Sequence, residues 1–191
     1  MARTIKPETR LADAAFRLLA KQRWNELTLA AVARSAKVPL VELHAIAPSK
    51  PMLVGLMLTR AGEETARRYK ADTESQSDRD RIFDVALTWF EALNPRKPAL
   101  RALHDGLRRD PLALLAARGA FVGAAEWLLA LAEADSGRAL PLKVAALAAL
   151  LVRALPVWLE DDKDMSKTMA QLDGDLRRGG MLFRTGNTAS K

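Results

Sequence analysis

Leu27-Thr28-Leu29-Ala30-Ala31-Val32-Ala33-Arg34-Ser35-Ala36-Lys37-Val38-Pro39-Leu40-Val41-Glu42-Leu43-His44-Ala45-Ile46-Ala47-Pro48-Ser49-Lys50 is the stretch whose reading decides the fold. Thr28 stands where an N-cap hydroxyl is wanted, ahead of a short helix from Leu29 to Ala36. Lys37-Val38 makes a tight turn. Pro39, at a favoured first helical position, opens a second short helix that stops by Ala47-Pro48. Ser49 then caps a long helix. Leu29, Val32 and Ala33 form the inner face of the first short helix, Val38 plugs the turn, and Leu43 pins the second helix to a core. Two short helices held across a tight turn and followed by a long one make a helix-turn-helix unit. Its second helix is propped so that it can enter a major groove about 12 Å wide.

Outward from this stretch the chain reads as all-α, with about nine helices. Ala and Leu dominate at helical spacing, β-branched residues are sparse, and nothing reads as a strand. A first helix starts near Pro7, carries Leu11, Ala14, Ala15, Leu18 and Leu19 on one face, and stops before Trp24-Asn25. Residues 71–80 are polar and read as a connection. Beyond them, helices are expected from Ile82 to Leu93, from Pro98 to Leu107, from Pro111 to about Glu133, from Pro141 to about Glu160 and from Met165 to Arg178. Asp110-Pro111 pairs an N-cap with a first-turn proline, and Gly179-Gly180 is a stop signal. The expected organisation is a helix-turn-helix head over residues 1–50, a larger helical region over 51–184, and a disordered tail over 185–191.

Charge separates the two ends. Residues 1–70 hold 13 Lys/Arg against 6 Asp/Glu, which accounts for the whole net charge of +7. Residues 71–191 hold 17 of each. A basic excess confined to the helix-turn-helix end points to a polyanion as partner. The chain has no cysteine, so disulfides and thiolate metal sites are excluded, and a reducing compartment fits. The N-terminus leads into no apolar signal segment. The two most apolar stretches, 112–131 and 144–159, are interrupted by Arg118, Glu126, Arg153 and Pro156, and read as core helices rather than membrane spans. The expected location is cytoplasmic, without membrane insertion.

The quoted stretch resembles the TetR family of bacterial transcriptional regulators. That family's pattern runs Leu-Thr-hydrophobic, then Val/Ile-Ala, then Ala-Gly-Val-Ser, then Leu-Tyr-x-x-Phe-x-Ser-Lys. Every spacing is met without a gap, and the strong resemblance covers about residues 8–57. It departs at Lys37 (usually Gly), Pro39 (Ser), His44 (Tyr) and Ala47 (Phe). The resemblance implies a dimer, with residues 1–50 as a DNA-binding head and 51–184 as a ligand-binding and dimerisation domain, and so a repressor controlled by a small ligand. Thr28, Lys37, His44, Ser49 and Lys50 are then the candidates for backbone contact and Leu40, Val41 and Glu42 for base edges, with Pro39 as a further DNA-binding residue at the start of the helix. The second short helix carries no Arg, Lys, Asn or Gln to pair with a purine, a thin inventory for direct readout. A second resemblance follows from this: Val157–Asp162 and Lys167–Asp173 look similar to the C-terminal pattern of TetR-like lipid- or isoprenoid-binding helper proteins of quinone biosynthesis, which do not bind DNA.

No Gly-rich phosphate loop, HExxH or nucleophile elbow occurs, so the chain does not read as an enzyme, and no cofactor or metal is expected. The carboxylates Glu160, Asp161, Asp162 and Asp164 read as a turn beside a helix N-terminus. Trp89, Phe90, Phe121, Trp127 and Trp158, with His104 as a polar anchor, are the candidate lining of a pocket for a small hydrophobic ligand; the alternative for these aromatics is plain core. A homodimer is expected through the last two helices, where Leu147, Leu150, Leu151, Ala154, Met169, Leu172 and Leu176 recur at helical spacing.

Overall fold

The structure, a computed structural model, describes residues 5–179 and Phe183. Its α-helices are α1 Pro7–Leu19, α2 Leu29–Ala36, α3 Leu40–Ile46, α4 Lys50–Arg68, α5 Asp78–Leu93, α6 Lys97–Arg108, α7 Pro111–Leu131, α8 Leu140–Glu160 and α9 Ser166–Arg178. Single 3-10 turns at Trp24–Glu26 and Asn94–Arg96 precede α2 and α6. Among the described residues there is no strand. The expected tail, 185–191, lies outside the described residues.

The caps explain the boundaries. The Thr28 hydroxyl accepts from the Ala31 amide at 3.1 Å, which starts α2. Asp110 does the same for Ala113 at 2.9 Å, which starts α7. Pro39 is the N-cap of α3, one residue earlier in the helix frame than its sequence position suggested. The largest difference is at α5, which begins at Asp78, inside the stretch expected to be a connection. Ser77 and Asp80 cap it reciprocally: Ser77 Oγ accepts from the Asp80 amide at 3.3 Å and donates to the Asp80 carboxylate at 2.6 Å. What looked like a polar linker is a helix start rich in capping residues.

The chain forms two compact units. Of the described residues, one gathers those up to Glu63 with Leu93–Gly123; the other gathers Glu64–Ala92 with those from Ala124 onward. The cuts fall inside α4 and α7 and before the last residue of α5, within helices that sequence periodicity has no means to divide.

In the first unit α1 packs on α2 and α6, and α2 packs on α3. Leu11, Ala14, Ala15 and Leu19 are buried, as the α1 periodicity predicts, joined by Ala12 and Phe16. In the second unit α8 packs on α9. Trp89, Phe90 and Trp158 form its aromatic centre: Trp89 meets Phe90 edge-on at 5.1 Å, and Phe90 lies 5.6 Å from Trp158. A buried charged cluster ties α5 and α8 to the end of α7. Arg81 Nη2 bonds the Asp78 carboxylate at 2.7 Å and Arg81 Nε donates to the Ala132 carbonyl at 2.7 Å. Lys143 Nζ sits 3.6 Å from the other Asp78 oxygen and donates to the Ala134 carbonyl at 3.3 Å. At the α8–α9 corner, Asp161 accepts from both the amide (2.7 Å) and the hydroxyl (2.8 Å) of Thr168.

Both α7 and α8 are long and apolar enough, by length and composition, to cross a membrane. Half of the most apolar window of α8 and a third of that of α7 are buried within the chain.

Candidate nucleic-acid interface

The helix-turn-helix is built from α2, the Lys37-Val38 turn and α3. Leu43 is buried and anchors α3, while Val32, Ala33 and Ala36 hold α2 and Val38 fills the turn. The opposite side of α3 is open: Val41 is 83% exposed and Leu40 51%, and Glu42, His44 and Ala45 are exposed beside them. Thr28, Lys37 and Pro39 are exposed and Ser49 half-buried. The Thr28 hydroxyl is occupied as the cap of α2.

Lys37 stands in the left-handed region, at φ 53° and ψ 44°. This is the conformation that Gly adopts most readily, and a lysine holds it here. Two arginines of α1 secure the turn from behind. Arg10 Nε donates to the Ala36 carbonyl at 2.9 Å, and Arg10 Nη2 donates to the Lys37 carbonyl. Arg17 Nη2 donates to the Ser35 carbonyl at 3.2 Å. Sequence reading missed this role. Arg10 and Arg17 are seven residues apart and so on one helix face, but a basic residue in a basic head reads first as a phosphate contact.

Lys50 is also engaged internally. Its Nζ donates to the Trp24 carbonyl at 2.7 Å and lies 4.6 Å from the centre of the Trp24 ring. Burial pushes its pKa down, against a smaller upward pull from Asp110. Of the two lysines singled out, Lys37 is the one whose ammonium faces solvent.

Of the six residues expected to line a ligand pocket, three come together within the second unit. Trp89, Phe90 and Trp158 make one buried cluster in the second unit, whereas Trp127 in that unit is 46% exposed. Phe121 and His104 belong to the first unit, and His104 Nδ1 lies 3.4 Å from the Asp105 carboxylate. Helical spacing says which face of a helix is apolar, not which apolar faces meet. One polar atom in the aromatic cluster is notable: the Trp89 indole N–H is buried and has no hydrogen-bond acceptor among the described residues.

The residues expected at the dimer seam face inward. Leu147, Leu150, Leu151, Ala154, Leu172 and Leu176 are buried inside the single chain, and Met169 is half-buried. The opposite side of α8 presents Leu142, Ala145, Ala149, Val152 and Pro156, all exposed. These recur every three or four residues and form a continuous apolar stripe along the helix.

No model of a known family matches the sequence, and no curated protein matches it. Solved structures do resemble it. A TetR transcriptional regulator from Nitrosomonas europaea ATCC 19718 aligns with a TM-score of 0.62 at 16% identity, over 93% of this chain and 98% of that one. A TetR transcriptional regulator from Rhodococcus sp. RHA1 aligns with a TM-score of 0.53 at 17% identity, over 96% and 97% of the two chains. With a propped helix-turn-helix at its head and helices throughout, the chain has the fold of the TetR-family transcriptional regulators.

Proposed function

We propose that the chain is a DNA-binding transcriptional regulator, acting as a repressor and released by a small apolar ligand. The observation that carries this reading is α3: fixed to the core by Leu43, open along the Leu40, Val41, Glu42, His44 and Ala45 side, and held in position by Arg10 and Arg17 behind the turn. Glu42 is suited to accept from a cytosine amino group, and Leu40 and Val41 to touch thymine methyls. Thr28, Lys37 and Ser49 flank these residues at the positions where backbone phosphates would pass. A single α3 reads one half-site, so a homodimer is part of the proposal, through the exposed α8 stripe. The Trp89 N–H favours a ligand that is mostly apolar and carries one hydrogen-bond acceptor.

The test is binding to the DNA upstream of the gene, at moderate salt and with competitor. Affinity at least a thousandfold or so above that for random duplex supports a regulator, since specific binding typically exceeds non-specific binding by about that factor or more. Equal affinity for both overturns it.

One observation favours a second reading, a TetR-like lipid- or isoprenoid-binding helper without DNA binding. The exposed side of α3 is dominated by Leu40, Val41 and Ala45 and holds no side chain that pairs bidentately with a purine. The same assay decides between them, together with native mass spectrometry for a co-purifying lipid.

A further inference from the structure

The first unit contains a cleft of about 1580 Å³ between the end of α1, the Trp24–Glu26 turn, the start of α4, α6 and the start of α7. No residue of α2 or α3 lines it, so it is distinct from the face proposed for DNA. Its volume exceeds the 300–1,000 Å³ or so of ordinary small-molecule pockets. Six basic side chains line it: Lys21, Arg23, Lys50, Lys97, Arg101 and Arg109. Only three acidic ones do, and each already has a partner. Glu26 accepts from the Arg23 amide at 3.0 Å, Asp110 caps α7 through Ala113, and Asp105 lies beside His104. Among the described residues Lys21 and Arg109 form no ion pair, and both are exposed. The Gln22 side-chain amide nitrogen, also in the lining, is buried with no acceptor. Beside it the α6 backbone at Gly106 lies directly against Trp24.

We infer that this cleft binds a small polyanion, a molecule carrying two or more phosphate or carboxylate groups. Cations arrive from the end of α1, the start of α4 and both ends of α6, so a compact monoanion would meet only one side. The unpaired Gln22 donor adds demand for an acceptor, which an anion supplies. Lys50 lines the cleft with its ammonium held by Trp24, so a bound anion would lie beside the residue that opens α4 just after α3. This inference is independent of the apolar-ligand proposal above and concerns a different part of the chain.

Isothermal titration of the full chain with ATP, with inorganic pyrophosphate and with adenosine tests it. ATP and pyrophosphate should bind saturably, one per chain, and adenosine should not bind. The double variant Lys21→Glu/Arg109→Glu should weaken ATP binding about tenfold, since two exposed attractions become repulsions, each modest alone. Gln22→Ala should weaken it severalfold. The control pair Lys70→Glu/Lys163→Glu carries the same charge change outside the cleft and should leave binding within about twofold. The melting temperature of each variant is measured alongside to exclude misfolding. Absence of saturable heat with both anions at millimolar concentration overturns the inference. So does equal weakening by the control pair, which would mean diffuse charge. Loss of random-duplex affinity in the cleft variants with ATP binding unchanged also overturns it, by making the cleft a duplex contact.

Discussion

A β-carbon added at Gly106 would lie 2.1 Å from the Trp24 β-carbon and 2.7 Å from its Cγ. The absence of a side chain at Gly106 lets α6 close onto the 3-10 turn that leads into the helix-turn-helix, with Trp24 buried between them. The contact is with the root of the tryptophan, so no rotamer change relieves it. Gly106→Ala should therefore destabilise the chain by roughly 2–3 kcal/mol despite the better helix propensity of alanine. Equilibrium urea unfolding measures this. An unchanged midpoint would mean that the turn and α6 shift apart freely.

Lys37 supplies a change in the opposite direction. A non-glycine residue at φ 53° carries a conformational cost of about 1–2 kcal/mol, and glycine gives back part of the gain through its freer unfolded chain. Lys37→Gly should stabilise by about 0.5 kcal/mol. Arg10→Ala, which removes the donors to the Ala36 and Lys37 carbonyls, should destabilise by about 1–2 kcal/mol. Thermal melts of the two variants should move in opposite directions.

Much of this was readable in advance, for identifiable reasons. Thr28, Pro7 and Asp110 start helices by local chemistry that operates within four residues, and the inner faces of α1 and α2 follow from a period of 3.6. The start of α5 was missed because Ser77, Asp78 and Asp80 have a linker's composition, and only the reciprocal bonds of Ser77 and Asp80 identify a cap. The roles of Arg10, Arg17 and Lys50 depend on which carbonyl lies within reach, 18 to 27 residues away in sequence. From sequence the Leu147 face of α8 reads as a dimer seam, because an apolar stripe looks the same whether its partner is α9 or a second chain.

The buried cluster of Asp78, Arg81 and Lys143 holds one carboxylate between two cations. Removing the carboxylate leaves both cations buried without a counter-charge, with only backbone carbonyls as partners. Asp78→Ala should cost roughly 3–5 kcal/mol, more than most single changes in the apolar core of this unit. Circular dichroism during denaturation reads this, and a loss under about 1 kcal/mol would show that water enters the cluster.

Asp161 sets part of the acid stability. Burial pushes its carboxyl upward, but the amide and hydroxyl bonds from Thr168, with help from the Asp162 amide and Lys167, outweigh burial and hold its pKa below the ordinary value. A folded pKa below the unfolded one means that the carboxylate's contribution is complete above about pH 4 and is lost as pH falls through the folded value. Asp161→Asn should lower stability at neutral pH by about 1 kcal/mol and flatten the decline below pH 4. Urea midpoints of both proteins across pH 2–7 check the sign.

The α8 stripe and its buried counterpart separate assembly from folding. Val152 and Leu142 are 47% and 61% exposed, so Val152→Glu and Leu142→Glu should leave the melting temperature of the monomer nearly unchanged and shift sedimentation from dimer to monomer at micromolar concentration. Leu147→Ala, in contrast, opens a cavity in the core and should cost about 2–4 kcal/mol. A wild-type protein that sediments as a monomer would remove the dimer from the proposal.

The two lysines of the helix-turn-helix should respond differently to duplex DNA. Each phosphate neutralised by a cation adds about 0.9 to the negative slope of log affinity against log salt. Lys37 extends from an exposed turn with its ammonium in solvent, so Lys37→Ala should lower affinity for every sequence and reduce the slope by about 0.9. The Lys50 ammonium donates to the Trp24 carbonyl and covers the Trp24 ring. Taking it to a phosphate would break both contacts, so Lys50→Ala should cost about 1 kcal/mol of stability and leave the slope nearly unchanged. Random duplex suffices for the measurement, because the slope reports phosphate contacts whatever the sequence. A loss of about 0.9 in the Lys50 variant would show that its ammonium leaves Trp24 on binding. Unchanged slopes in both variants would show that no phosphate lies against this side of the head, and would favour the lipid-binding reading.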